Sequence, residues 1–198
     1  MVSSISAPVT SPDCSYTSVA LYESQSLRMY TVDVSGNTDV RWNDSITPVA
    51  DTSTITITML LRFTNHGTGR NNPSAILRLY AAAGGSPIMV LRSVDTAPAD
   101  GIWSLIIESS GATPATNTFA DAATEGTTYC VKITDDLSTD DVTIWVDEDA
   151  NGDKAECGTT GGQVADGSQT GLDADYVRFS NTTNLHSDLV IDNVEISW

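Results

Sequence analysis

Lysine is almost missing from this chain: Lys132 and Lys154 are the two among 198 residues, and seven arginines make up the rest of the 9 basic side chains. Set against 26 acidic residues, they leave a net charge of -17. Such a surface repels a phosphate backbone or an anionic membrane over most of its area, which excludes general nucleic-acid binding. Long apolar runs are missing as well. No segment approaches the roughly 18 consecutive apolar residues of a membrane span, and residues 1–10 hold neither the basic cluster nor the apolar run of a signal peptide. The sequence therefore reads as a mature secreted module or as a protein that never used a signal, such as a virion component. Its expected place is extracellular, on a cell surface or in a virion, without membrane insertion.

Cysteine is limited to Cys14, Cys130 and Cys157, too few for a disulfide-stapled miniprotein and wrongly spaced for a zinc ribbon or a Cys-x-x-Cys redox site. One disulfide or none fits the count. What the chain has in abundance is hydroxyl groups: 26 threonines and 22 serines, a composition that favours strands and turns over helices. With 40% hydrophobic and 18% charged residues, it is also far from the highly charged disordered class.

Period-two alternation recurs along the chain. In 54–63, Ile55, Ile57, Met59, Leu61 and Phe63 fall on one side, and Thr54, Thr56, Thr58, Leu60 and Arg62 on the other. Shorter segments at 26–30, 76–80, 87–93, 102–108 and 175–179 read as further strands, separated by Gly-, Asn- and Pro-rich loops such as Asn65 to Pro73. Segments 128–134 and 141–147 form a hairpin pattern joined by a short polar loop. The last segment, 188–198, alternates imperfectly around Asp192-Asn193, a one-residue slip that predicts a bulge. No stretch has helical periodicity and no linker divides the chain. The expectation is one all-β domain over 1–198, a two-sheet antiparallel β-sandwich, with 1–25 as an N-terminal extension or first edge strand. Ile57, Met59, Leu61, Val131, Ile133, Val142, Ile144 and Val194 should share its core.

Four segments, Ser26-Leu27-Arg28-Met29, Thr58-Met59-Leu60-Leu61-Arg62-Phe63, Val142-Thr143-Ile144-Trp145-Val146-Asp147 and Leu189-Val190-Ile191-Asp192-Asn193-Val194-Glu195-Ile196, carry a resemblance. In this order they resemble the concanavalin A-like lectin/glucanase superfamily, in particular laminin G-like jelly-roll modules of bacterial or phage type. The resemblance implies a jelly roll and, commonly, glycan binding on one sheet. It does not imply an activity, since the superfamily includes hydrolases, lyases, adhesins and structural domains.

Retaining glycosidases of that superfamily need two carboxylates about 5 to 5.5 Å apart, placed by a Glu-x-Asp-x-x-Glu strand that this sequence lacks. His66 and His186 stand in polar loop contexts without partners for acid-base or zinc chemistry, and no Gly-x-Ser-x-Gly elbow is present. Arg28, Arg62, Arg78, Lys132 and Arg178 lie opposite the expected core side chains. If several fall on one sheet, Arg62, Arg78 and Lys132 with Tyr80 and Trp145 would make a cationic and aromatic stripe suited to carboxylated or sulfated sugars. Paired instead with neighbouring acids, the same arginines would be ordinary surface residues. Trp42, Trp103 and Trp198 suit packing better than sugar stacking.

The functional expectation is a non-catalytic lectin-like module that recognises a polysaccharide or cell-surface glycan, or mediates attachment. A virion decoration, fibre or filament subunit built on the same sandwich is the alternative, with subunits of that assembly as partners; a polysaccharide hydrolase or lyase is a weaker one. Calcium is the one cofactor the sequence suggests. Asp147, Asp149, Asn151 and Asp153 set oxygen donors at alternate positions before and after Gly152, although Gly158 occupies the place of a calcium loop's bidentate glutamate. The competing reading is a turn at Asn151-Gly152 with solvated acids around it. An ion bound only by the native state stabilises it by mass action, so calcium in this loop predicts a lower Tm in excess chelator and recovery in millimolar calcium. A melt indifferent to both leaves the turn alone.

Overall fold

The structure, a computed structural model, describes residues 14–17, 26–31, 38–65, 74–81, 87–97, 102–109, 116–118, 123–139, 141–148, 157, 163–166, 173–183 and 187–198. Every regular element among them is a strand. In chain order these are β1 (Cys14–Thr17), β2 (Ser26–Thr31), β3 (Thr38–Val49), β4 (Thr54–Asn65), β5 (Ser74–Tyr80), β6 (Pro87–Ala97) and β7 (Ile102–Ser109). They continue as β8 (Thr116–Thr118), β9 (Ala123–Thr124), β10 (Tyr129–Asp136), β11 (Asp141–Glu148), β12 (Gln163–Asp166), β13 (Ala174–Thr183) and β14 (Ser187–Ser197). The first sheet runs β1-β2-β14-β4-β10-β11-β12; the second runs β3-β13-β5-β6-β7-β8, with β9 also pairing with β7. All pairings are antiparallel.

The alternation in the sequence is the origin of the sandwich. Ile55, Ile57, Met59, Leu61 and Phe63 of β4 are buried with Val131 and Ile133 of β10 and Val142, Ile144 and Val146 of β11. From the second sheet, Leu77, Leu79, Met89, Leu91, Leu105, Val177 and Phe179 join the same cluster. Of the eight residues expected to share the core, seven are fully inside it, and Val194 packs against its margin. A strand's period is two, so the intervening residues of each sheet face away from the cluster.

The slip in β14 is a bulge. Asp192 lies opposite Leu60 and Glu195 opposite Thr58, so three steps on β14 match two on β4. Asn193 absorbs the extra residue at φ 46°, a left-handed conformation that asparagine tolerates better than most residues. Its N–H donates to Asp192 Oδ1 at 2.7 Å. The shift returns Ile196 to the core after Leu189 and Ile191.

The β10–β11 hairpin turns on an aspartate. Asp136 Oδ1 accepts hydrogen bonds from Ser138 N at 3.0 Å and Ser138 Oγ at 2.6 Å, an Asx-type turn. The Ser138 hydroxyl holds the Asp136 carboxyl below its ordinary range, so this contact supports the turn above that range and is lost as pH falls through the lowered pKa. Leu137 N donates to Ser53 O at 3.1 Å, tying this turn to the one between β3 and β4. Cys130 of β10 forms a disulfide with Cys157, Cα to Cα 5.3 Å, across a sequence separation of 27. Closing a loop of that length is worth about 3 to 4 kcal/mol in the chain-entropy account.

Expected strands and observed ones differ mainly at edges. β3 lacks strong alternation and contains Pro48; it lies at the rim of the second sheet, where a missing N–H is tolerated. β12 sits inside the glycine-rich stretch 158–171, read from sequence as a loop, and is the rim of the first sheet. β1 is the opposite rim, which makes 14–17 an edge strand. The loop 66–73 and the Asn151-Gly152 turn fall outside the described residues. Two substitutions in β4 test the two-sided pattern: Leu61→Ala, at a fully buried site, should cost about 2–5 kcal/mol, whereas Thr56→Ala on the outward face should cost no more than about 1 kcal/mol. Equal losses in chemical denaturation would contradict the assignment of faces.

Candidate functional site

The outward face of the second sheet gathers residues from strands far apart in sequence. In β13, Val177 and Phe179 enter the core, which turns Tyr176, Arg178 and Ser180 outward. In β5, Leu77 and Leu79 point inward, leaving Arg78 and Tyr80 on the outside. Register then sets Arg178 directly opposite Arg78 and Tyr176 directly opposite Tyr80. Val90 of β6 continues the arginine row beyond Arg78, and Arg92 stands one step further along β6 on the same face.

Like charges directly opposite in a sheet repel, and the two guanidinium groups part along opposite diagonals. Arg178 Nη1 donates to Tyr80 Oη at 3.1 Å, with its guanidinium carbon 5.1 Å from the Tyr80 ring centroid. Arg78 Nη1 donates to Ser180 Oγ at 2.9 Å. The Tyr176 ring meets Tyr80 edge-on, centroids 5.8 Å apart at 68°. Tyr80 is only 3% exposed, so its ring is a support beneath Arg178 rather than an open platform. Tyr176 is half-buried and remains accessible beside it. The arrangement presents two planar, permanently charged donor forks with a phenol ring alongside, chemistry suited to carboxylates on a flat sugar chain.

The five residues expected to form one stripe are divided between the sheets. Arg78 and Tyr80 belong to this face. Arg62, Lys132 and Trp145 lie on the outward face of the first sheet, where Lys132 pairs with Thr58 and Trp145. Lys132 Nζ sits 4.9 Å from the Trp145 ring centroid. Arg62 stands two outward positions from Thr58 along β4, separated from that pair by Leu60, which is buried. Tyr176 is the site residue that the sequence reading passed over. Its signal is present in the alternation of Tyr176, Arg178 and Ser180 against Val177 and Phe179; what the sequence withholds is the register that joins β13 to β5.

Of the expected calcium donors, Asp147 is the last residue but one of β11 and is 8% exposed, on the outward face opposite Cys130. Asp149, Asn151 and Asp153 lie outside the described residues, as do His66 and His186. Among the described residues no group of three or more His, Cys, Asp or Glu could hold a metal ion, and no helix is long and apolar enough to cross a membrane. The side chains of Trp42 and Trp103 are likewise outside the described set, and Trp198 is 43% exposed at the chain end.

No protein-family model matches the sequence, and no curated protein matches it significantly. Solved structures do match in three dimensions. An endo-β-1,4-glucuronan lyase from the fungus Trichoderma reesei is 12% identical with a TM-score of 0.64, over 96% of this chain and 89% of that one. An alginate lyase from Pseudomonas aeruginosa is 10% identical with a TM-score of 0.57, over 92% and 85%. A native heptameric SAP-like pentraxin from Limulus polyphemus is 8% identical with a TM-score of 0.53, over 85% and 74%. At such identities the likeness is one of fold, and the fold it establishes is the all-β, two-sheet antiparallel sandwich.

Proposed function

We propose that this protein recognises acidic, uronate-containing polysaccharides through the outward face of the second sheet, as a lectin-like module that binds without cleaving. The observation that carries the reading is the juxtaposition of Arg78 and Arg178 across β5 and β13. A carboxylate reaching both guanidinium groups would gain charge-assisted hydrogen bonds from two planar donor forks at once. Tyr176 supplies an apolar face for the sugar ring. Two structures of the same fold are named as lyases of glucuronan and of alginate, both polymers of uronic acids, which supports the choice of substrate class. A disulfide between Cys130 and Cys157 is consistent with an oxidising, extracellular setting, and with a place on a cell surface or a virion.

β-Elimination is the second reading, and the Arg178 to Tyr80 hydrogen bond favours it. The bond fixes a phenol oxygen beside a cation, the kind of group that would take a proton from carbon 5 of a uronate as the bond from carbon 4 to the glycosidic oxygen breaks. Tyr80 is buried, however, and binding therefore leads.

Calorimetric titration with polyglucuronate, alginate and a neutral β-glucan tests both. Binding to the acidic polymers alone is expected, weaker as salt rises. Arg78→Gln and Arg178→Gln should each weaken it about tenfold or more, the worth of one hydrogen bond to a charged group at about 1.5–3 kcal/mol, with Tm nearly unchanged. Release of unsaturated uronate, seen by ultraviolet absorbance, would establish the lyase instead. No binding to any polymer, together with loss of particle or filament incorporation in the same variants, would place the face in an assembly contact.

A further inference from the structure

The outward face of the first sheet holds a cavity of about 350 Å³ lined by Arg28, Arg62, Thr64, Gly126, Asp188 and Val190. Its floor follows from register. Val190 of β14 lies between Arg28 of β2 and Arg62 of β4, one strand to either side. Val190 is 2% exposed yet stands apart from the core shared by the sheets, so its covering comes from this outer face. Asp188 and Thr64 stand two residues along from Val190 and Arg62, on the same face. Gly126 closes the rim: its N–H donates to Phe63 O at 2.8 Å, and its φ of +81° is one that glycine adopts without strain.

The charges of the described lining residues do not cancel. Arg28 is bound at both ends to Asp188, Nε to Oδ1 at 2.7 Å and Nη2 to Oδ2 at 2.6 Å, which uses the one carboxylate among the described lining residues. Arg62 is left as the excess positive charge. Its Nε is buried and has no hydrogen-bond partner among the described residues. Buried N–H groups are almost always satisfied, whereas the Arg62 side chain as a whole is half-buried and borders the cavity, in a chain of net charge -17 with many acids from which a partner could have come. A cavity at the small end of the ligand range of about 300–1,000 Å³ with one surplus guanidinium and an apolar floor suits a single sugar unit bearing one carboxylate.

We infer that this cavity is a binding site for one carboxylated sugar unit, its carboxylate held by the Arg62 guanidinium, with the Arg28–Asp188 pair as its fixed wall. The site stands on the sheet opposite Arg78 and Arg178, and the choice of a sugar acid as its ligand rests on the function proposed above. The carboxylate meets Arg62, and the sugar ring lies at the exposed rim beside Thr64 and Gly126, above the buried Val190.

Amide chemical-shift mapping on the whole chain tests it, with sodium glucuronate as probe and glucose and acetate as controls. Glucuronate should shift the Thr64, Gly126 and Val190 amides in a saturable way, glucose should not, and acetate should bind at least tenfold more weakly. Arg62→Gln should weaken glucuronate at least tenfold, and Thr64→Phe, which keeps every charge but fills the exposed rim, should do the same. Titrating a short glucuronan oligomer separately tells a chain end from a free acid, and saturation by either supports the site. The proposal is overturned if these three amides stay unmoved in the unmodified protein, if acetate matches glucuronate, or if glucuronate binds both folded variants as tightly as the parent. Because the readout is local to the first sheet, its failure leaves polymer binding by Arg78 and Arg178 standing, and the reverse holds equally.

Discussion

Everything in this molecule depends on keeping one face of each sheet dry. The two sheets meet through the side chains that alternate inward from β4, β10, β11 and β14 on one side and β5, β6 and β13 on the other. A slip of one residue in any of these strands would exchange its inward and outward sets. The chemistry on the outside is therefore held by packing on the inside: Arg78 faces outward because Leu77 and Leu79 are buried, and Arg178 because Val177 and Phe179 are. Neither arginine could be lost to the interior without exposing two large apolar side chains, each worth about 1.5–3 kcal/mol of burial.

The bulge in β14 is the clearest case of the same constraint. Without the extra residue at Asn193, Ile196 would leave the core and Glu195 would enter it. Accepting one left-handed residue at a type that tolerates it is the smaller cost. The chain end thus remains packed on β4 through Ile57 and Thr56, opposite Ile196 and Ser197.

The alternation was legible because burial on one face demands it, and that is why β4, the β10–β11 hairpin and the bulge could be read without coordinates. Rim strands obey a weaker demand. β3 and β12 each pair on one side only, so polar residues, Pro48 and glycine-rich flanks are compatible with strand there and local sequence gives little sign of it. The candidate site was half legible for a different reason. That Arg62, Arg78, Lys132 and Arg178 face outward follows from period two alone. Which of them share a sheet depends on β13 joining β5, while β14 joins β4; no local pattern encodes those pairings. Tyr80 shows the same limit. Its outward direction was readable, but its burial beneath Arg178 and Tyr176 arises from two residues nearly a hundred positions away.

A chain so acidic makes clustered arginines more informative than they would be on a basic protein. Surface carboxylates spread over the molecule act at long range and are screened beyond about 8–10 Å at physiological salt, while guanidinium groups in hydrogen-bond contact with a ligand act at about 3 Å. A polyanion approaching at random meets net repulsion and gains nothing to offset it. On the proposed reading, one whose carboxylate reaches the Arg78 and Arg178 forks would gain short-range hydrogen bonds that distant, screened acids do not oppose. If the proposed face binds acidic ligands, net charge and local charge of opposite sign would combine into selectivity: the acidic surface discourages loose adsorption of nucleic acid or other polyanions, and the few arginines would confine acidic ligands to the places where geometry holds them. Scattering the same arginines among the acids would leave the net charge unchanged and remove that distinction.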